Sequence, residues 1–131
     1  MIIGIDSTLA KNEKGDCAVR AVAAATNSTY EIAHQYVEKV FKRKPRRGVK
    51  GFSGILKIRE GLGFLNNTKY KEIRIGYKNL SVGDFLKQYK NGTYIIIVDD
   101  HTFTIKDGMI IGNPEDKENL EIKIQSVFKI I

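Results

Sequence analysis

The chain contains a single cysteine, two histidines and no apolar run of membrane-spanning length. One cysteine, Cys17, excludes a disulfide within the chain, so a reducing compartment is the expected setting. The N-terminal segment has no basic stretch followed by a long apolar stretch, and neither export nor membrane anchoring is indicated. We therefore expect a cytoplasmic protein. With two histidines, the choice of a catalytic base is also narrow.

The organisation of the chain favours a single domain spanning residues 1–131, because we find no repeat, low-complexity tract or dividing linker. Residues 17–26 are apolar around nearly the whole helical circumference, which is typical of a helix buried at the centre of a domain. Capping signals and apolar spacing predict three further helical segments. The first opens with a capping box of Ser28 and Glu31 and is stopped by Pro45. The second covers residues 53–61, and the third is a capped turn that begins at Ser81 and Asp84.

From Thr93 onward the pattern changes to that of strands. The segment "TYIIIVDDHTFTIKDGMIIGN" holds three apolar runs, separated by Asp99-Asp100 and by Asp107-Gly108, a pair typical of tight hairpin turns. Residues 120–131 predict a closing strand. Since helices precede strands, we expect an α+β fold with the N-terminal helix packed centrally on a C-terminal antiparallel sheet.

Basic residues outnumber acidic ones by 22 to 15, and the net charge of +7 favours acidic partners. Segment 42–50 concentrates this excess and contains no acid. The simpler interpretation is a set of cations that follow a helix C-terminus and keep a loop in water. Alternatively, the segment binds an acidic partner through Lys42, Arg43, Lys44, Arg46 and Arg47. Nucleic acid, with Tyr36 or Tyr77 stacking on bases, is a less favoured partner, because no recognised nucleic-acid module is present.

Cys17 has the sequence context of a nucleophile. A thiol attacks carbonyl groups as the thiolate, so its pKa must be lowered by a helix N-terminus or a neighbouring cation. Cys17 follows Gly15 and Asp16 at the predicted start of the buried helix. The alternative is a small buried hydrophobic residue among alanines.

His101 is the better candidate for a base. His34 lies among core positions of the second predicted helix, where a structural role is expected. His101 begins a strand far from Cys17 in sequence, as is usual for a nucleophile and base that the fold brings together. A metal site formed by Asp99, Asp100 and His101 is disfavoured, since adjacent strand residues point to opposite faces.

A catalytic histidine also needs a partner that orients its ring. Asn113 ends the strand that pairs back onto the His101 strand, so both should lie at the same end of the hairpin. Asp99, Asp100 and Asp107 are competing candidates, although Asp107 belongs to the turn at the far end. Asn113, which precedes Pro114, is alternatively a simple turn residue.

Two stretches of the chain, "GDCAVRAVAAATNSTYEIAHQYV" and "NLSVGDFLKQYKNGTYIIIVDDHTFTIKDGMIIGN", carry a resemblance to a known family. They resemble the small papain-like cysteine peptidase domains of phages and bacteria, which are related in pattern to peptidases that trim bacteriocin leaders. The shared pattern is Gly-Asp-Cys opening the central helix, a "GTYI" strand, a His at a strand start and "DG" before the next strand. The resemblance covers most of the chain, and residues 44–78 contribute little.

This resemblance implies a papain-like fold in which Cys17 is the nucleophile, His101 the general base and acid, and Asn113 the orienting residue. It also implies an oxyanion hole formed by the Cys17 amide with Asn12. Asparagine has a shorter side chain than the glutamine that is usual in the family, and Asn12 is offset by one position from the usual spacing before the cysteine. Many relatives carry an aspartate where this chain has Gly112-Asn113. No metal or organic cofactor is required.

The implied activity is hydrolysis of a peptide or isopeptide bond in a protein or peptide substrate, through a thioester. The same triad also serves deamidation and acyl transfer. One alternative is an inactive papain-like scaffold that acts as a phage structural or protein-binding module. A further alternative is nucleic-acid binding through segment 42–50. A phage-encoded chain would act in the host cytoplasm, with virion association as the alternative location.

Overall fold

The computed structural model of the chain describes residues 2–75, 79–114 and 118–131. The described part contains four α-helices: α1 (Cys17–Thr26), α2 (Tyr30–Val40), α3 (Phe52–Ile58) and α4 (Val82–Gln88). Its strands are β1 (Ile2–Ile3), β2 (Tyr70–Ile73), β3 (Thr93–Val98), β4 (His101–Lys106), β5 (Met109–Ile111) and β6 (Ser126–Ile130). Short 3-10 helices lie at Ala10–Asn12 and Leu65–Asn67.

The six strands form one mixed sheet in the order β1-β5-β4-β3-β6-β2. All neighbouring pairs are antiparallel except β1 and β5, which are parallel. The α+β class is therefore confirmed. The expectation of a wholly antiparallel sheet is wrong at one edge, where the N-terminal residues add a short parallel strand to the outer side of β5.

Helix α1 lies at the centre of the molecule, as its apolar sequence predicts. It packs chiefly against β4 on one side and α2 on the other, and most of its side chains are buried. A hydrogen bond of 2.7 Å from the Thr104 hydroxyl to the Ala21 carbonyl ties α1 to β4. This contact fixes the position of the helix along the sheet.

Two separate cores cover the two faces of the sheet. Helices α1, α2 and α3 pack against Ile95, Ile97 and Phe128 on one face. Helix α4 packs against the other face, which presents Ile96 and Val127 among others. Because β3 is buried on both faces, its sequence is an unbroken apolar run rather than an alternating one.

The hairpin of β4 and β5 forms as predicted. Asp107 and Gly108 both have positive φ angles, 49° and 80°, and Lys106 pairs with Met109 across the turn. This conformation at both turn residues favours Asp-Gly. Val98 pairs with His101 at the other end of β4, so Asp107 and His101 lie at opposite ends of the strand.

The N-cap residue of α2 lies one position later than predicted, at Thr29 instead of Ser28. The Thr29 side chain, not that of Ser28, accepts a hydrogen bond of 3.2 Å from the Ile32 amide. Glu31 instead accepts a hydrogen bond from the Ser7 hydroxyl. The helix ends at Val40, before Pro45 is reached.

The apolar spacing of the helix predicted over residues 53–61 places Ile55, Leu56, Ile58 and Leu62 on its inner side, and this prediction is wrong at the C-terminal end. Ile58 and Leu62 are 79% and 68% exposed, whereas Leu56 is buried. The closing strand is confirmed in its second half as β6, which pairs with β3 and β2. Within the described part of the chain, none of the helices has the length and apolar character needed to span a bilayer.

Candidate active site

Cys17 is the first residue of α1, and Asp16 is the N-cap residue before it. The side chain of Asp16 does not cap the helix amides. It accepts hydrogen bonds from Arg20 Nε at 3.0 Å and from the Tyr30 hydroxyl at 2.8 Å instead. Burial, reinforced by this bond to Asp16, raises the pKa of Tyr30. The Asp16 charge is thus compensated by Arg20, and the side chain leaves the first-turn amides of α1 to other acceptors.

Gly15 allows the backbone before Cys17 to lie close to the backbone of Arg47 and Gly48. Its φ angle is 62°, and a Cβ atom there would lie 2.9 Å from the Gly48 nitrogen and 3.0 Å from the Arg47 carbonyl carbon. A residue with a side chain would therefore be strained and would clash with backbone. The glycine brings the segment before Cys17 into contact with the segment after α2.

A buried ion cluster joins the same two segments. Arg43 Nη1 and Nη2 donate to the Glu13 carboxylate at 3.0 and 3.3 Å, and Nη2 also donates to the Lys14 carbonyl at 3.0 Å. Arg43 Nε donates to the Arg47 carbonyl at 2.8 Å. His34 Nε2 hydrogen bonds to Glu13. The second histidine therefore contributes to structure, as its position in α2 suggests.

Cys17 and His101 border the same open cleft, whose volume is about 690 Å³. Cys17 is half-buried at the N-terminus of α1, and His101 is half-buried at the start of β4. Residues 47–53 form another wall of the cleft, and Gln125 lies on the approach to β6. The fold thus places on one cleft the cysteine and the histidine that the sequence marks as candidates in distant parts of the chain.

His101 also borders a second cavity, of about 360 Å³, which Asn113 lines as well. Alternation along β4 places His101 on the same face as Phe103, and their ring centroids are 5.7 Å apart. Because His101 lies at the end of the strand, it reaches both cavities. The histidine and its predicted orienting residue therefore line the same cavity.

Other carboxylates differ in their access to His101. Asp100, which has a positive φ of 54°, borders both cavities. Glu118 lines the second cavity and was not singled out from the sequence, because it lies in a loop without a recognisable motif. Asp99 is exposed in the turn. Asp107 accepts a hydrogen bond of 2.8 Å from the Gly92 amide at the far end of the hairpin.

Two amide side chains are candidates for the oxyanion hole. Asn12 ends the 3-10 helix Ala10–Asn12 and is exposed, and it is not among the described residues that line the Cys17 cleft. Gln125 does line that cleft, and its backbone amide is held by the Ile97 carbonyl at 2.8 Å. No local pattern marks Gln125 as a site residue, because it lies far from Cys17 along the chain and outside any motif.

The basic segment 42–50 divides into a buried and an exposed part. Arg43 is 5% exposed and belongs to the Glu13 cluster, so it is not available to a partner. The side chains of the other cations are exposed, namely Lys42, Lys44, Arg46, Arg47 and Lys50. Tyr36 packs against Phe41 and Phe64, and Tyr77 lies outside the described residues.

Comparison with known proteins gives no match, whether with protein-family models, with curated proteins or with solved structures. Across residues 2–75, 79–114 and 118–131, no group of three or more His, Cys, Asp or Glu side chains is arranged to hold a metal ion. Fold and site together define an α+β protein with a cysteine at a helix N-terminus and a histidine at a strand start on one cleft.

Proposed function

We propose that the chain is a papain-like cysteine hydrolase that cleaves a peptide or isopeptide bond. The observation that carries this proposal is the shared cleft of Cys17, at the N-terminus of α1, and His101, at the start of β4. A helix N-terminus favours the thiolate, and a histidine on the same cleft supplies the proton acceptor that the thiol needs.

The reaction follows from these two groups. His101 takes the Cys17 proton, and the thiolate attacks the substrate carbonyl carbon to form the S–C bond. As the C–N bond breaks, His101 returns the proton to the leaving amine, and a thioester remains on Cys17. His101 then takes a proton from water, which attacks the thioester, and the carboxylic acid leaves as the thiol is regenerated.

The oxyanion formed in each half of the reaction needs hydrogen-bond donors. The first is the backbone amide of Cys17, which lies in the first turn of α1, where helix amides have no intrahelical acceptor. The second is an amide side chain, for which Gln125 and Asn12 are the candidates. Gln125 is supported by its place on the cleft, and Asn12 by the sequence resemblance.

Asn113 is the proposed orienting residue for His101. Its position in the cavity that His101 also borders supports this role. An amide oxygen that accepts from one ring nitrogen leaves the other free to exchange a proton with Cys17. Asn113 would then act through the histidine rather than on substrate.

The pH dependence of alkylation tests the proposal directly, because Cys17 is the only thiol in the chain. Native protein should react with iodoacetamide well below pH 8, whereas an ordinary thiol becomes nucleophilic only at about pH 8 and above. His101→Ala should move the reactivity to higher pH. His34→Gln, which removes the histidine of the Glu13 cluster, should leave the profile unchanged while circular dichroism confirms folding.

Reaction of Cys17 only after unfolding in urea would overturn the proposal. The thiol would then be a packing residue, and the inactive-scaffold alternative would account for the fold. An unchanged profile in folded His101→Ala would separately remove His101 from the mechanism.

A further inference from the structure

The cleft that holds Cys17 is lined by an unequal set of charges. Arg47 and Lys50 contribute two cations from the segment after α2, and Asp100 contributes one anion from the turn before β4. Neither cation forms an ion pair with an acidic side chain within the described ranges. His101 adds a further positive charge whenever it is protonated. The rim of the cleft is therefore electropositive.

The cations are carried by a backbone segment that is held in place. Arg43 Nε donates to the Arg47 carbonyl at 2.8 Å, and Gly15 packs directly on the Arg47–Gly48 backbone. Glu13 neutralises Arg43 itself, and the Arg43 hydrogen bond is the main cause that lowers the pKa of Glu13 to about 2. The buried pair thus holds the segment without adding net charge, and the exposed charges beside the cleft remain positive.

We infer that this site acts on acidic substrates: peptides or protein segments that carry carboxylates beside the carbonyl group that Cys17 attacks. The inference rests on the proposed function and specifies its substrate class. Two cations within several ångströms of a bound carboxylate attract it appreciably even through water, and salt weakens the attraction. A substrate with basic residues at the same positions would be repelled.

Two small alkylating reagents of different charge measure this potential without a known substrate. Iodoacetate is an anion and iodoacetamide is neutral, and both report the same Cys17 thiolate, so the ratio of their rates cancels the ionised fraction of the thiol. The ratio is normalised to a neutral reference thiol, N-acetylcysteinamide. We expect a normalised ratio of about 3 to 10 at low ionic strength, falling towards about 1 near 1 M salt.

Matched charge variants locate the source of the effect. Arg47→Gln combined with Lys50→Gln should lower the normalised ratio at low salt by about 2-fold or more, which leaves only the contribution of a protonated His101. The control combines Lys87→Gln with Lys90→Gln, which changes the net charge equally. Lys87 lies on α4 and Lys90 near Gly108, at the hairpin end opposite His101. The control should keep the ratio of the natural chain.

A pair of peptide probes extends the test to substrate-like molecules. Two acyloxymethyl ketones that differ only in carrying two Asp or two Lys residues beside the electrophile are compared at equal pH. The Asp probe should label Cys17 about 10-fold faster at low salt, by the same charge argument, and the double Gln variant should lose this preference.

The two proposals fail in different ways. A Cys17 that is inert to iodoacetamide in the folded chain contradicts the proposed function itself. A reactive Cys17 with a normalised ratio near 1, or with equal labelling by both peptide probes, leaves the cysteine hydrolase intact and overturns the acidic-substrate inference. A ratio that is the same in the Arg47 and Lys50 variant as in the natural chain overturns it as well.

Discussion

Arg43 donates to both carboxylate oxygens of Glu13, at 3.0 and 3.3 Å, across 30 positions of sequence. Both side chains are nearly inaccessible to solvent. The pair connects the segment that leads to Cys17 with the segment that carries the cationic wall of the cleft. The geometry of the site therefore depends on a salt bridge that lies outside it.

Loss of the Arg43 guanidinium should destabilise the protein strongly. Arg43→Gln leaves Glu13 buried without its main partner, and we expect a loss of about 3 kcal/mol in the free energy of unfolding. The adjacent variant Lys44→Gln removes an exposed cation and should change it by less than about 0.5 kcal/mol. Urea unfolding midpoints compare the two, and equal midpoints would contradict the structural role of Arg43.

The same pair predicts how stability depends on pH. The pKa of Glu13 falls from 4.5 to about 2 in the folded protein, mainly through the hydrogen bond from Arg43, with a further contribution from His34 and opposition from burial. As the pH drops below about 5, the unfolded chain binds the proton first, so stability decreases until about pH 2. The total loss amounts to roughly 3 kcal/mol.

Urea titrations at several pH values between about 6 and about 2 measure this slope. This range includes the pKa of Glu13 in the unfolded chain and in the folded protein. Glu13→Gln has no proton to gain and should show a shallower decrease over the same range. Parallel curves for the two proteins would mean that Glu13 does not carry the acid sensitivity.

Gly15 and Gly54 make a matched pair for a backbone test. Gly15→Ala places a Cβ at a φ of 62° and 2.9 Å from the Gly48 nitrogen, so we expect a destabilisation of about 1 to 3 kcal/mol. Gly54 lies inside α3, and a Cβ atom there would have no neighbouring atom within 4 Å. Gly54→Ala should stabilise the protein by about 0.4 to 1 kcal/mol. Thermal unfolding measures both, and shifts of the same sign would contradict the close approach at Gly15.

Local signals account for the parts of the fold that the sequence predicts well. The Ser81 and Asp84 capping box starts α4 as expected, and Asp107-Gly108 forms the hairpin turn. Each depends on side chains a few residues apart. Strands β1 and β2 carry no such signal, because they are short and are held by distant partners: β5 for the first and β6 for the second.

The residues of the candidate site also divide into those that local sequence signals mark and those that only long-range contacts place. Cys17 and His101 could be selected because thiols and imidazoles are scarce in this chain and each begins a predicted element. Arg47 and Gln125 could not be selected from the sequence, because their positions on the cleft follow from long-range contacts. Arg43 holds the Arg47 carbonyl, and the Ile97 carbonyl holds the Gln125 amide. The buried role of Arg43 within a run of exposed cations likewise has no local signature.

The oxyanion hole can be assigned by comparing two amide residues. Gln125→Ala should lower the rate of labelling by a neutral acyloxymethyl ketone about 10- to 100-fold if its side chain is the second donor. Asn12→Ala should then have an effect of less than about 2-fold, because Asn12 lies on a separate 3-10 helix and does not line the Cys17 cleft. Iodoacetamide forms no oxyanion at a carbonyl and should alkylate both variants at the natural rate. The opposite ranking of the two variants would assign the donor to Asn12.

The orienting residue of His101 can be resolved among Asn113, Asp100 and Glu118, which all border the second cavity with it. If Asn113 holds the ring, Asn113→Ala should slow labelling by the neutral ketone about 10- to 1,000-fold, equal to roughly 1 to 4 kcal/mol of transition-state stabilisation. Asn113→Asp keeps an acceptor oxygen and should recover part of the rate, with an altered pH profile that a purely structural residue would not produce.

Carboxylate variants complete this test, because a carboxylate would orient the ring at least as well as an amide. Asp100→Asn and Glu118→Gln should each change the labelling rate by less than about 3-fold if Asn113 is the partner. Asp107→Asn is the control, since Asp107 lies at the far end of the hairpin and an amide oxygen can still accept from Gly92. Should Glu118→Gln or Asp100→Asn abolish labelling while Asn113→Ala labels normally, the third residue is that carboxylate, and the pairing of Cys17 with His101 stands without Asn113.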